Sequence, residues 1–141
     1  MIVGLAAGIS YYQLYYLPEL TAKPKISEEI LNPQEETIIN MIKGSSNKDQ
    51  QDNFVPKLVN IQLGIDNKVI WSNIDDEAGH TVTPDPSFEF NDKYSGEFGS
   101  LGIVKQGEKY EFLFTEETEI EYHCDPHPWM TGKIVIKKAR F

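Results

Sequence analysis

Nine consecutive residues carry most of the reactive side chains. Tyr122-His123-Cys124-Asp125-Pro126-His127-Pro128-Trp129-Met130 contains the only cysteine of the chain and two of its three histidines. Cys124 and His127 stand in a C-x-x-H spacing and His127 and Met130 in an H-x-x-M spacing, so one short loop offers a thiolate, an imidazole and a thioether to a single centre. The remaining histidine, His80, lies far upstream in Ala78-Gly79-His80-Thr81-Val82. Thiolate and thioether are soft donors that hold Cu(I), while imidazole suits both copper oxidation states. A mixed set on a rigid scaffold keeps one geometry through a one-electron change, and little reorganisation means fast electron transfer.

Zinc is the rival ion because it accepts Cys and His, but a closed structural zinc site takes four ligands of the Cys and His type. Three such donors joined by Met130 favour copper. A binuclear copper centre would need a second, bridging cysteine, which the chain lacks. Singly these residues say little, since a lone Cys is commonly a small buried hydrophobe and a lone Met a core filler. The inference rests on the joint pattern.

The elements that must position these donors follow from the rest of the chain. At 141 residues it has the length of one domain with a tail. A net charge of −9 argues against nucleic acid, whose phosphates demand a basic footprint, and suits a basic or neutral docking partner. A single cysteine permits no internal disulfide.

Residues 2–17 are apolar and uncharged, and Pro18 and Glu19 end the run. As a helix they would reach about 24 Å, just short of a hydrocarbon core of roughly 30 Å. The tyrosines at 11, 12, 15 and 16 crowd one end, where such rings prefer a membrane interface. A secretory signal would carry a basic start and a small-residue cleavage site, neither of which is seen. Residues 1–18 are therefore expected to be an uncleaved helical membrane anchor; cleavage would instead release a secreted protein. Residues 19–36 are acidic and contain prolines, which is linker chemistry suited to lifting residues 37–141 off a membrane, with one helical turn at 27–31.

From Thr37 the pattern changes to short runs rich in β-formers. Strands are expected over 37–42, 59–63, 68–73, 101–105, 109–114, 119–123 and 132–136. Val59 to Leu63 and Lys68 to Asn73 flank the turn Gly64-Ile65-Asp66-Asn67 and read as a hairpin. Seven or eight short strands without a long helix point to an all-β sandwich. Cys124 then ends one strand and Met130 introduces the next, with Pro126 and Pro128 fixing φ on either side of His127. If Cys124 faces inward, His123 faces away, and Asp125 points to solvent. Trp129, with Pro126, Pro128, Pro84 and Val82, is expected to form an apolar patch around the edge of His127, the kind of surface that meets a partner.

Tyr122 to Lys133, with Thr131-Gly132-Lys133 following the nine residues, resembles the metal loop of the small blue-copper proteins, the cupredoxins, most closely the amicyanin and plastocyanin-like members. Phe54-Val55-Pro56, Gly64 and Val69-Ile70-Trp71-Ser72-Asn73 are similar to that family's second and third strands. The resemblance implies a Greek-key β-sandwich holding one type 1 copper, with His80, Cys124 and His127 as equatorial ligands and Met130 as the axial one. Where the family often has Asn after the first histidine, this chain has Thr81. The apolar start and linker resemble the membrane-tethered cupredoxins of archaea.

The function so implied is single-electron carriage between a redox protein donor and acceptor at the extracytoplasmic membrane face, without catalysis. Two alternatives stand beside it: a copper redox enzyme acting on a small molecule such as a nitrogen oxide, and an accessory subunit of a larger membrane complex. Against the enzyme, Met130 fills the axial position and no pair of carboxylates stands near the loop as acid and base.

Overall fold

The computed structural model describes residues 26–139. The expected anchor at 1–18 and the first part of the expected linker lie outside them. Among the described residues no helix is long and apolar enough to cross a membrane.

Alternation of apolar and polar residues builds the sandwich. In β3 (Leu58–Leu63) Val59, Ile61 and Leu63 are buried and the residues between them exposed; in β10 (Thr131–Lys138) Gly132, Ile134 and Ile136 turn inward. β9 (Thr118–His123) adds Ile120 and Tyr122, and β5 (Thr83–Pro84) completes a sheet ordered β3-β10-β9-β5. The facing sheet is ordered β2-β1-β4-β8, from β1 (Glu36–Met41), β2 (Phe54–Val55), β4 (Lys68–Asn73) and β8 (Lys109–Leu113). Both sheets are mixed, since β1 runs parallel to β4 and β3 parallel to β10. A small hairpin of β6 (Asn91–Asp92) and β7 (Gly96–Glu97) lies apart from the two sheets.

Trp71 of β4 sits at the centre with no exposure, its ring 5.6 Å from Phe98 and 5.7 Å from Tyr122. Phe98 also meets Phe112 and Phe114, so the irregular stretch after β5 supplies a main core side chain. Of the other aromatics in that stretch, Tyr94 lies on the surface.

Two expected features are corrected. Val59–Leu63 and Lys68–Asn73 do not form a hairpin: β3 and β4 lie in opposite sheets, and the turn between them arches across the core. Asn67 shows why. It is fully buried, its amide donates to the carbonyls of Ile30 and Phe114 at 2.8 Å each, and its Oδ1 accepts from the Gly64 amide, so the corner is closed on itself and fastened to two other segments. Gly64, with φ of +88°, supplies the left-handed residue of the corner. The expected strand at 101–105 shrinks to a single bridge between Val104 and His80. The one-turn helix is present as α1 (Glu28–Leu31), and Ile30 packs against the core.

Asp92 fastens a second corner. It is almost fully buried, and burial alone would raise its carboxyl pKa; four donors reverse this and hold it below the ordinary carboxylate range. They are Thr115 Oγ1 at 2.6 Å and the backbone amides of Thr115, Tyr94 and Ser95 at 2.8 to 3.0 Å. A carboxyl whose folded pKa is lowered contributes stability above its ordinary value of 3.8 and loses it as pH falls through the folded value. Asp92→Asn is expected to cost about 2 kcal/mol in urea unfolding at neutral pH, because an amide group would face backbone donors. The variant should lose less stability than the wild type on going from pH 5 to pH 2.

Candidate metal centre

Three segments meet at one end of the sandwich. β9 and β10 are antiparallel neighbours with His123 opposite Thr131, so residues 124–130 close the gap between them as a tight loop. Within it the Cys124 amide donates to the Met130 carbonyl, His127 to Cys124 and Met130 to His127. The chain therefore curls about its own carbonyls, and the prolines at 126 and 128 stiffen it further. His80 arrives between β4 and β5, held by reciprocal backbone bonds with Val104 at 2.7 and 3.1 Å. Gly79 precedes it where an added Cβ would overlap Ile103, so the close approach of these loops needs glycine.

The donors His80, Cys124 and His127 come together as expected. Their ligating atoms all lie within 4.8 Å of one another. His80 Nδ1 is 3.0 Å from His127 Nδ1, and Cys124 Sγ is 3.7 and 3.5 Å from the two nitrogens. The point equidistant from three atoms so spaced lies about 2.0 Å from each, near the bond length between an imidazole nitrogen and a first-row divalent ion. The residues thus fit a single metal ion by spacing as well as by chemistry. Met130 is fully buried at the end of the same loop.

Protonation favours the same outcome. His80 Nε2 lies 2.7 Å from Asp75 Oδ2, and as the donor in that bond it leaves Nδ1 as the free lone pair. For His127, burial and then the nearby His80 both lower the proton affinity, which keeps the ring neutral and able to ligate. Burial pushes the Cys124 thiol above its ordinary pKa, an effect reduced by the Thr81 amide donating to the sulfur at 3.3 Å. Metal uptake by this thiol must therefore release a proton.

Thr81 does a second job that the sequence did not disclose. Its hydroxyl accepts from the Asp125 amide at 2.8 Å, so the residue beside one ligand holds the backbone beside another. The hydroxyls of Thr81 and Thr83 are 3.0 Å apart, and Thr83 donates to Asp125 Oδ2. His123 points away from the centre, as alternation required, with Nδ1 against Asp85 and Nε2 3.0 Å from Asp125. Asp125 is exposed as expected but bonded to both neighbours rather than free.

The expected surface patch is changed in one member. Pro126 and Pro128 are exposed, His127, Trp129 and Pro84 are half-buried, and Val82 is completely buried in the core beneath them. Trp129 is anchored by its indole nitrogen donating to the Ser45 carbonyl, with its ring 5.4 Å from that of His127. Sequence reading missed Leu101, fully exposed, and Ile103, 59% exposed, on the loop whose Val104 pairs with His80. Two apolar residues spaced around a glycine were the available signal, outweighed there by their resemblance to a strand.

A two-sheet β-sandwich with an imidazole, thiolate and imidazole trio at one end defines a mononuclear copper protein of the cupredoxin class. The chain belongs to the plastocyanin/azurin family of copper-binding proteins, whose family model matches residues 41–137. It is 43% identical over 35 residues to amicyanin from Paracoccus denitrificans, a stretch covering 25% of this chain and 27% of that one. The fold is similar to a purple cupredoxin from Nitrosopumilus maritimus, with a TM-score of 0.56 and 21% identity over 71% of this chain and 98% of the other. It is also similar to an oxidised amicyanin variant, with a TM-score of 0.51 and 22% identity over 72% and 81% of the two chains.

Two measurements check this account. Thr81→Val keeps the shape but removes the acceptor for the Asp125 amide, and is expected to lower the stability of the metal-free protein by about 1 to 2 kcal/mol. Because the His127 pKa is lowered on folding, the unfolded metal-free chain takes up the proton first as pH falls below about 6.5. The melting temperature of the metal-free protein should therefore drop between pH 7 and pH 5, and His127→Gln should flatten that dependence.

Proposed function

We propose that this protein is a type 1 copper protein that carries single electrons between redox proteins at the extracytoplasmic face of a membrane. The observation that carries the reading is the trio His80, Cys124 and His127, equidistant from one point, with two members fully buried and the third reaching the surface. Bound copper supplies the one-electron change between Cu(II) and Cu(I). The side chains do the rest. Cys124 would hold the ion through a soft thiolate, His80 and His127 would offer nitrogen donors suited to both oxidation states, and Met130 would add a thioether. Interlocked backbone bonds from 124 to 130 and the Thr81 tie keep these donors in place, which limits reorganisation.

His127 is the exit. Its Nδ1 faces the other donors, so the opposite edge of the ring points towards solvent between exposed Pro126 and Pro128. Pro84, Trp129, Leu101 and Ile103 extend an apolar rim on which a redox partner can dock while excluding water. The net charge of −9 favours a neutral or basic partner. The uncharged run at 2–17 is the basis for a membrane anchor, with the proline-containing stretch ahead of α1 as spacer, since residues 28–36 pack on the domain.

The test is copper loading of the protein with visible and spin-resonance spectra, followed by redox titration. An intense thiolate-to-copper band and reversible one-electron reduction are expected, and Cys124→Ser should abolish the band. His127→Ala should slow electron exchange with a partner protein by at least tenfold while exogenous imidazole restores the spectrum. Turnover of a small nitrogen oxide at a rate matching electron transfer would instead favour an enzyme, and obligatory co-purification with other chains a subunit role.

A further inference from the structure

Three acidic residues stand in a row at 75–77, and the fold treats one of them differently from the others. Asp76 and Glu77 are exposed and reach towards Lys43 at 3.7 and 3.9 Å. Asp75 has no exposure at all. Its Oδ2 lies 2.7 Å from His80 Nε2, itself fully buried, and its Oδ1 accepts from the Glu77 amide at 2.9 Å. The position is built rather than incidental. Asp75's own amide donates to Asn73 Oδ1, while the Asn73 amide group donates to the carbonyls of Ala78 and Val104, the last being the residue that bridges to His80.

A carboxylate taken fully out of water is costly unless a positive charge compensates it. Among the described residues neither lysine nor arginine forms an ion pair with Asp75; its one charged-type partner is His80. Both carboxyl oxygens of Asp75 are engaged, Oδ2 by His80 Nε2 and Oδ1 by the Glu77 amide, and neither meets a cationic side chain. Compensation must therefore come from beyond His80, at the point which its Nδ1 faces. With a thiolate ligand, Cu(II) leaves one net positive charge there and Cu(I) leaves none. The buried anion lies closer in energy to balance when the ion is oxidised, because attraction through a protein interior is weakly screened. A carboxylate on the far nitrogen also makes the imidazole a more basic donor, which again favours the higher charge.

Resting on the copper reading above, we infer that Asp75 is a positioning residue that sets the balance of oxidation states, holding His80 in its ligating orientation and stabilising Cu(II) over Cu(I). It touches neither the ion nor a partner. Its action runs through His80.

The experiment compares full-length wild type and Asp75→Asn by redox titration and by separate competition assays for Cu(II) and Cu(I). Asparagine keeps the shape and an oxygen for His80 Nε2 while removing the charge. Cu(II) affinity should fall at least tenfold relative to Cu(I), with a rise in reduction potential of about 59 mV for each tenfold change in that ratio. The visible band should persist. Equal losses of the two affinities, or an unchanged potential, would mean a structural role only and overturn the inference. Should the variant fail to fold, the wild type still decides: its reduced-minus-oxidised infrared difference spectrum should contain a carboxylate stretch that moves on isotopic labelling of aspartate, and a spectrum lacking it counts against the inference. A wild type that binds copper without any thiolate-to-copper band would overturn the copper reading itself, and the inference with it.

Discussion

The geometry of the centre depends on one residue that ligates nothing. Thr81 donates its amide to the Cys124 sulfur and accepts the Asp125 amide on its hydroxyl, so two loops far apart in sequence are fixed to each other within one residue of their ligands. That link adds to the pairing of β5 with β9, where Thr83 lies opposite His123, so the spacing of His80 and Cys124 is set by the fold rather than by a metal. With it, the protein can bring donors to coordination distance by its own hydrogen bonds. A metal then enters an arrangement already formed, which is the condition for a small structural change on electron transfer.

The link works because both loops stand on firm ground. β9 and β10 share a continuous antiparallel register from Thr118 with Ile136 to His123 with Thr131, so the two ends of the metal loop are set by six paired positions. Beneath the loop, Gly132 leaves room for the Tyr122 ring, where a Cβ would collide with it. Tyr122 in turn packs edge-on against Trp71 and Phe54, which ties the sheet carrying Cys124 to the sheet opposite. Packing and metal geometry are thus continuous, and an aromatic core sets the height at which the sulfur stands.

Much of this was legible in the chain. The ligand spacing, the strands on either side of the loop and the outward direction of His123 follow from residue type and a period of two. The pairing of strands does not. Val59–Leu63 and Lys68–Asn73 alternate as a hairpin would, yet the three bonds of the buried Asn67 side chain send them to different sheets, and an asparagine in a turn gives no sign of whether it will be buried. Likewise Asp75, Asp76 and Glu77 look equivalent as letters, and only the position of His80 Nε2 distinguishes the first. Val82 was expected in the surface patch beside Pro84 but is buried, because in an irregular segment the chain's path rather than its period decides which side chain turns inward.

The direction of the strands has a further consequence. β1 and β4 run in parallel from the corner of Asn67 to the end where Asn73 meets the histidine loop, and α1 leans on that same corner through Ile30. The polypeptide therefore enters the domain at the pole opposite the donors, separated from them by six strand residues, about 20 Å. A tether attached at the entry pole would leave the ligand pole facing outward, and the domain could swivel on its leash without its electron gate ever being shaded by the surface that holds it.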